Sequence, residues 1–284
     1  MTGSPTAVAV LPAWRMPGAA GRLEFRKVHG AGNDFVLVSG PFAYPDLPGL
    51  ARELCSRRTG VGADGLVVSA LLTGDSPAYE VRCLNADGSE ASMCGNALRC
   101  AALCAAADHG HTENSMLMAG VMHRGRVRGT EVAVTAEAGP VLRAAATAGH
   151  DGHVCEFDSV HTGTEHAVAL VADVDVIDVD GFGSLVRHHR NFAPIGTNVS
   201  FVQAAGPNTL RIRTYERGVE EETLSCGSGA VAAVAAGRAR QLIGQGAVTV
   251  GDGARTPLTV CPDIAGGDTF WISGPAAIVF RGEI

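Results

Sequence analysis

Aromatic residues make up only 5% of this 284-residue chain, with two tryptophans and three tyrosines. Charged residues are also sparse, at 18%, and the net charge is −7. A chain so poor in basic charge lacks the electrostatic footprint of a nucleic-acid binder. No run approaches the roughly 18 apolar residues that a membrane-spanning helix needs. No C-x-x-C or H-x-x-x-H pattern accompanies Cys94, Cys100 and Cys104, so a structural zinc is not expected, and no metal site is read. Residues 1–22 lack the basic start of a secretory leader, and Pro12 interrupts their short apolar run. They are read as a flexible N-terminal extension, and the cytoplasm as the location. No segment carries a cofactor fingerprint, so none is expected.

What is abundant is glycine, at 37 residues, within a 46% hydrophobic composition. That predicts a loop-rich α/β or α+β protein with enough chain for one large or two ordinary domains. Leu23 to Gly40 alternates as two strands around a glycine turn. "PDLPGLARELCSRR" predicts a short helix starting near Pro45 or Asp46. "GLVVSALL" and "AYEVRCLN" predict strands. The alanine-rich run after Cys94 predicts a helix ending near His109-Gly110, with short strands beyond it. In the second half "VHTGTEHAVALVADVDVIDV" is strand-like, "GFGSLVRHHRNF" helical, and "GTNVSFVQ" and "NTLRIRTYERG" strands. A second alanine-rich helix follows Cys226.

The two helices open alike, "CGNALRCAALCAA" and "CGSGAVAAVAAGR", 132 residues apart (226 − 94). "AGNDFV" and "GTNVSFV" also correspond, placing Asn33 and Asn198 after glycine turns. An internal duplication would set two similar domains face to face, each bringing one cysteine to a shared cleft. Coincidence between alanine-rich helices is the bland alternative.

A cysteine at a helix start meets unpaired N–H groups and about half a positive charge. Anions bind there, and a thiol ionises more readily than a free one, whose pKa is about 8.5. The backbone N–H groups of Gly95, Asn96, Gly227 and Ser228 can therefore hold a carboxylate, while Cys94 and Cys226 exchange protons with the carbon beside it. One thiolate removes the α-proton and the other thiol supplies one to the opposite face. Cys55, Cys83, Cys100, Cys104, Cys155 and Cys261 are read as small buried hydrophobes.

Several motifs in order carry a resemblance from Leu23 onward: "HGAGNDF", "GVGADG", "NADGSE", "MCGN", "GTNV" and "ERGVEEETLSCGSG". By these the chain resembles the diaminopimelate epimerase family of cofactor-independent two-cysteine epimerases and racemases. The resemblance implies two pseudo-symmetric domains, each a curved, mostly antiparallel sheet wrapped around a central helix, with the active site in the cleft between them. The limits expected are 23–135 with 275–284 for the Cys94 domain, and 136–274 for the Cys226 domain. It implies Cys94 and Cys226 as acid and base, and His166 and Glu216 as residues that tune their ionisation. Asn33, Asn85, Gly95, Asn96, Thr164, Asn198, Glu216, Arg217, Gly227 and Ser228 are implied as substrate contacts. Glu216 suits an ammonium group and Arg217 a carboxylate.

The chain also departs from the family pattern. "TGTEH" stands where Gly-Asn-Pro-His is usual, so Thr164 replaces an asparagine and Glu165 a proline. An added carboxylate there is expected to disfavour a second, distal carboxylate on the substrate. The readings are an LL-/meso-diaminopimelate epimerase serving lysine synthesis, or a racemase of another polar amino acid such as O-ureidoserine in D-cycloserine synthesis. A non-catalytic amino-acid-binding protein is the alternative of another class. The expected partner is a small amino acid, not nucleic acid or membrane; family members are often dimers, which leaves a homodimer open.

Overall fold

The computed structural model describes residues 23–40, 44–72, 77–223, 225–252 and 256–284. The expected N-terminal extension, residues 1–22, lies outside the described residues. Strands β1 (Glu24–Gly30) and β2 (Asn33–Ser39) form a hairpin. Its two turn residues, Ala31 and Gly32, both have positive φ, 53° and 93°, as a tight hairpin matching strand twist requires. Helix α1 (Leu47–Cys55) starts at Asp46, whose side chain accepts from the Gly49 N–H. Strands β3 (Gly65–Leu71) and β4 (Ala78–Asn85) lead to helix α2 (Gly95–His109), which ends on left-handed Gly110. Strands β5 (Glu113–Met118), β6 (Val121–Arg128) and β7 (Glu131–Glu137) complete the first half.

The second half contains β8 (Leu142–His150), β9 (His153–His161), β10 (Glu165–Leu170), α3 (Val179–Arg187), β11 (Asn198–Gly206), β12 (Thr209–Tyr215) and β13 (Glu222–Thr223). Helix α4 (Gly227–Ala239) and strands β14 (Val248–Gly251), β15 (Leu258–Pro262) and β16 (Thr269–Glu283) follow. Pairings from β1 to β6 run antiparallel, parallel, antiparallel, parallel, antiparallel. Those linking β9, β10, β11, β12, β14 and β15 run in the same order. The duplication expected from two cysteine motifs is thus a duplication of topology. It makes β10, not β11, the counterpart of β2. The Asn33–Asn198 correspondence is therefore not a structural equivalence, because Asn198 opens β11.

Strand β16 runs through both halves. Its first residues pair with β15 and β7, and from Ala276 onward it pairs with β1. This closes β1 to β7 and β16 into a ring around α2. Helices so enclosed bury nearly every face, which explains their composition. Gly95 to Ala102 are all buried in α2, and Gly227 to Val234 in α4. Alanine and glycine let the sheet approach closely, and alanine keeps helix propensity high.

The acidic stretch expected as strand after Leu170 is irregular instead. It folds Val174 and Ile177 into a core with Phe157, Phe182 and Phe201, and Asp178 caps α3 through the Gly181 N–H. The predicted helix 181–192 is divided into α3 and a short 3-10 turn, Arg190–Phe192. Among the described residues no helix is long and apolar enough to cross a membrane.

Candidate active site

Cys94 and Cys226 are the N-cap residues of α2 and α4, with extended backbone at φ −144° and −113°. The two helices meet end to end. A Cβ built on Gly227 would lie 3.5 Å from the Gly95 Cα, and one on Gly95 would lie 3.7 Å from the Gly227 Cα. The two first turns therefore direct their N–H groups and positive dipole ends towards one place. Both cysteines line one cavity of about 510 Å³, together with Asn85, Thr164, Asn198, Glu216, Arg217 and Ser228.

Contacts across the halves hold this junction. The Asn96 carboxamide donates to the Ser225 carbonyl (2.9 Å) and to Asn33 Oδ1 (3.1 Å). Arg99, fully buried in α2, donates to Asn96 Oδ1 at 2.5 Å. Ser92 donates to the Gly163 carbonyl at 2.8 Å. Gly163 has φ 83°, and a Cβ there would fall 2.8 Å from the Met93 side chain, so glycine is required on both counts.

The two sulfurs have opposite electrostatic surroundings. The Cys83 thiol, the Ala97 N–H and the Arg99 guanidinium hold the Cys94 thiol below its ordinary value, against burial and Glu216. Cys226 is pushed well above the ordinary thiol range by burial and then by Glu216, although Ser228 and the Gly229 N–H oppose this. Its sulfur accepts from Gly229 N (3.3 Å) and lies 3.5 Å from Ser228 Oγ. Cys94 is therefore the readier of the two to give up its proton and Cys226 the readier to hold one, the division of roles that proton exchange on opposite faces uses. Burial raises Glu216 itself, and Thr223 donates to it at 2.7 Å.

His166 reaches Cys226 through an intermediary. Its Nε2 is 3.0 Å from Ser228 Oγ, and its ring is wholly buried. Burial, with Arg217 and His161 adding to it, lowers His166 to about 3, so the ring stays neutral. Ser228→Ala removes the hydroxyl and keeps the backbone N–H. We expect about a ten-fold loss of proton abstraction by Cys226, read as the slower direction of inversion, with Cys94 alkylation unchanged. His166 also couples folding to pH. Its folded value lies below the unfolded value of about 6.5, so stability is full above pH 6.5 and falls as pH drops from 6.5 towards 3. The slope should approach 1.4 kcal/mol per unit, measured by urea unfolding from pH 4 to 7. His166→Asn should flatten it, and equal slopes would contradict the assignment.

Beyond the cysteines, Arg217 is fixed by its backbone N–H to Asn198 Oδ1 (2.9 Å) and by Nη2 to Thr164 Oγ1 (3.0 Å). Its Nη1 is buried without a hydrogen-bond partner among the described residues. Asn198 Nδ2 donates to the Glu165 carbonyl at 2.9 Å. The Glu165 carboxylate bonds to His161 Nδ1 at 2.9 Å and is not among the residues lining the cavity. The side chain thus bonds to His161 and not within the cavity, yet its charge acts on Arg217, which lines it. Asn33 lines an adjoining cavity, which shares Asn85, Asp87, Glu216 and Gly218 with the first, and donates to Asp64 at 2.8 Å.

Sequence reading missed Arg187, which lines the cavity and donates to Glu220 (3.2 Å) and the Ile195 carbonyl (3.2 Å). It also missed Arg99 and Cys83. An arginine within an alanine-rich helix was the only available signal for Arg99, and Cys83 gave none. Cys55 is pushed up to about 12 by burial, and Cys100 and Cys104 are also raised by burial, in keeping with their reading as packing. All eight cysteines are free. Among the described residues no His, Cys, Asp or Glu cluster suits a metal ion.

Comparison with known proteins gives this geometry a family. The diaminopimelate epimerase of Methanocella arvoryzae is 35% identical over 280 residues, covering 93% of this chain and 97% of that protein. The diaminopimelate epimerase of Pelotomaculum thermopropionicum is 38% identical over 288 residues, covering 92% and 98%. Among solved structures, a hydroxyproline epimerase from Agrobacterium vitis superposes with a TM-score of 0.67 at 17% identity, covering 93% of this chain and 91% of that one. A PhzF-family protein from Enterococcus faecalis gives 0.65 at 14% identity, covering 93% and 99%; both show the fold. The family model described as diaminopimelate epimerase matches residues 25–142 and 159–255. With paired capping cysteines, a duplicated topology and that match, the chain belongs to the diaminopimelate epimerase family.

Proposed function

We propose that this chain is a PLP-independent isomerase that inverts the α-carbon of diaminopimelate, interconverting the LL and meso forms, with Cys94 and Cys226 as the two acid/base groups. One observation carries the reading: two cysteines, capping two helices whose first glycines touch, open onto a single cavity. A substrate carboxylate held by the N–H groups of Gly95, Asn96, Gly227 and Ser228 sits at both dipole ends. Charge that builds on it as the α-proton leaves is stabilised there. The Cys94 thiolate takes the proton on one face, the Cys226 thiol gives one on the other, and the reverse reaction exchanges the roles.

Residue chemistry supports independence from a pyridoxal cofactor, which needs a lysine amine. Lys27 is the single lysine of the chain. It pairs with Asp34 at 2.6 Å and lines the adjoining cavity, not the one with the cysteines. Glu216 takes the ammonium group in this reading. Arg217, with its unpartnered Nη1, takes a distal carboxylate, and Asn85, Asn198 and Thr164 complete that end.

Thr164, in place of the expected asparagine, favours a second reading, racemisation of a neutral polar amino acid such as O-ureidoserine. The test is loss of the α-proton signal in deuterated water over a panel containing both. Exchange confined to diaminopimelate supports the first reading, exchange confined to a neutral amino acid supports the second, and exchange of none leaves only the binding-protein alternative. We further assign residues 23–135 with 275–284 to the Cys94 lobe, residues 136–274 to the Cys226 lobe, the cytoplasm as location and a homodimer as the assembly.

A further inference from the structure

Arg99 lies one turn into α2 and is 0% exposed. A guanidinium donates and never accepts, so its Nη2, 2.5 Å from Asn96 Oδ1, fixes which way that carboxamide faces. The Asn96 Nδ2 is thereby turned to the Ser225 carbonyl (2.9 Å), next to Cys226 in the chain, and to Asn33 Oδ1 (3.1 Å). Three glycines from other elements leave the guanidinium its room. A Cβ on Gly30, at the end of β1, would lie 3.3 Å from Nη2, and one on Gly274 of β16 would lie 3.8 Å from Cζ. One on Gly227, the first residue of α4, would lie 3.7 Å from Nη1. The charge therefore sits beside the point where the two helix starts meet. Its Nε and Nη1 are buried with no hydrogen-bond partner among the described residues. An arginine keeps its charge when buried, and a buried cation without a paired anion is costly to the fold.

We propose that Arg99 is a positioning residue that serves both helix starts: it holds Asn96 across the junction, and its unpaired charge draws a carboxylate to the clamp formed by Gly95, Asn96, Gly227 and Ser228. The inference rests on the reading that this clamp holds the substrate's carboxylate, but its test needs no substrate. Helix N-termini offer only partial charges. A full positive charge beside them strengthens the attraction for a carboxylate, and for the further negative charge that gathers on it as the α-proton leaves. Because Gly95 and Gly227 are in contact, one guanidinium acts on both halves of the clamp. The bound anion in turn supplies the partner that the buried cation lacks among the described residues.

The test compares alkylation by iodoacetate and by iodoacetamide in low salt at neutral pH, followed on the Cys94 and Cys226 peptides by mass spectrometry. With either reagent a thiolate attacks the carbon that bears iodine, an S–C bond forms and iodide leaves. Only iodoacetate carries a carboxylate on that carbon. The ratio of the two rates, divided by the same ratio for mercaptoethanol, cancels the thiolate fraction and reports the attraction for the carboxylate. In the unmodified protein it should exceed unity at both cysteines, although the net charge of −7 opposes this. Arg99→Gln, which keeps an amide donor on a shorter stem and loses the charge, should lower the ratio about 30-fold at both. Arg99→Lys, which keeps the charge, should stay within about three-fold of the original. An unchanged ratio in glutamine, equal losses in glutamine and lysine, or a loss confined to Cys94 would overturn the role. Should glutamine prevent folding, seen as alkylation of the buried Cys55 and Cys100, the lysine variant decides, and a loss beyond about ten-fold overturns the role. An unmodified protein without any preference for iodoacetate removes the carboxylate clamp, and the role of Arg99 with it. If the preference depends on Arg99 but no amino acid exchanges its α-proton, the charge stands and the epimerase reading fails.

Discussion

Replacing Cys226 with alanine is expected to lower the rate of diaminopimelate inversion by about 10³-fold, within the range that general acid–base groups contribute. The loss should fall on kcat, because the sulfur acts on the carbon and the carboxylate clamp is made of backbone N–H groups. Glu216 and Ser228 flank Cys226, yet neither can replace it. Glu216 is engaged by Thr223, and a serine hydroxyl is a far weaker acid than a thiol. The fold should survive, since the Cys226 sulfur caps α4 through the Gly229 N–H and losing such a cap costs about 1 kcal/mol. Cys94→Ala should cost a similar factor, and here no side-chain cap is lost. A double variant no slower than either single one would show that the two sulfurs act as one unit. A Cys226→Ala enzyme within about ten-fold of the original, far below the general acid–base range, would contradict the assignment.

The second large effect is expected at Arg217. Substitution by methionine keeps the aliphatic stem and removes the guanidinium whose Nη1 has no partner among the described residues. Loss of a charge-assisted contact to a distal carboxylate should raise KM for diaminopimelate about 100-fold, with a smaller change in kcat. A neutral polar amino acid that exchanges at all should be affected much less. Arg217→Lys should recover only part of the loss, because a point charge cannot reproduce the guanidinium fork held by Thr164. Steady-state kinetics on both substrates checks this. An unchanged KM for diaminopimelate would remove Arg217 from substrate recognition.

Much of this site was legible in the sequence because helix starts carry their chemistry locally. Cys94-Gly95 and Cys226-Gly227 announce both a capping position and a close approach, and the structure puts the two glycines in contact. The strands next to these motifs were legible too: β1 and β4 come near to alternation, and β2, β3, β10 and β11 are short apolar runs buried on both faces. Elements without such a pattern were not. Strand β8 buries only Ala146 and Ala148, and β14 and β15 are short, so none of the three offers a strong periodic signal. The resemblance implied that residues 275–284 belong with the Cys94 half; that one strand, β16, pairs with β15 and β7 before it reaches β1 was not legible, because those partners are specified by ring closure and not by its own residues. Glu165 was legible only in part: its negative charge acts on Arg217 in the cavity, but its hydrogen bond to His161, the residue opposite it on β9, could not be read from the chain.

The asymmetry between the sulfurs was also beyond sequence reading. The two motifs are nearly the same, and only packing places Cys83 behind one sulfur and Glu216 against the other. Proton exchange on opposite faces needs one sulfur charged and the other neutral, and these unequal surroundings favour that division.

The most direct measurement follows isotope through a single inversion. Protiated substrate is incubated in deuterated water, and product and remaining substrate are separated early in the reaction. Two sulfurs on opposite faces predict product carrying solvent deuterium at the α-carbon while recovered substrate keeps its protium, since the proton removed stays on one sulfur and the proton delivered comes from the other. Product that retains the original protium would mean that a single group carries the proton from one face to the other, and would contradict a two-sulfur site.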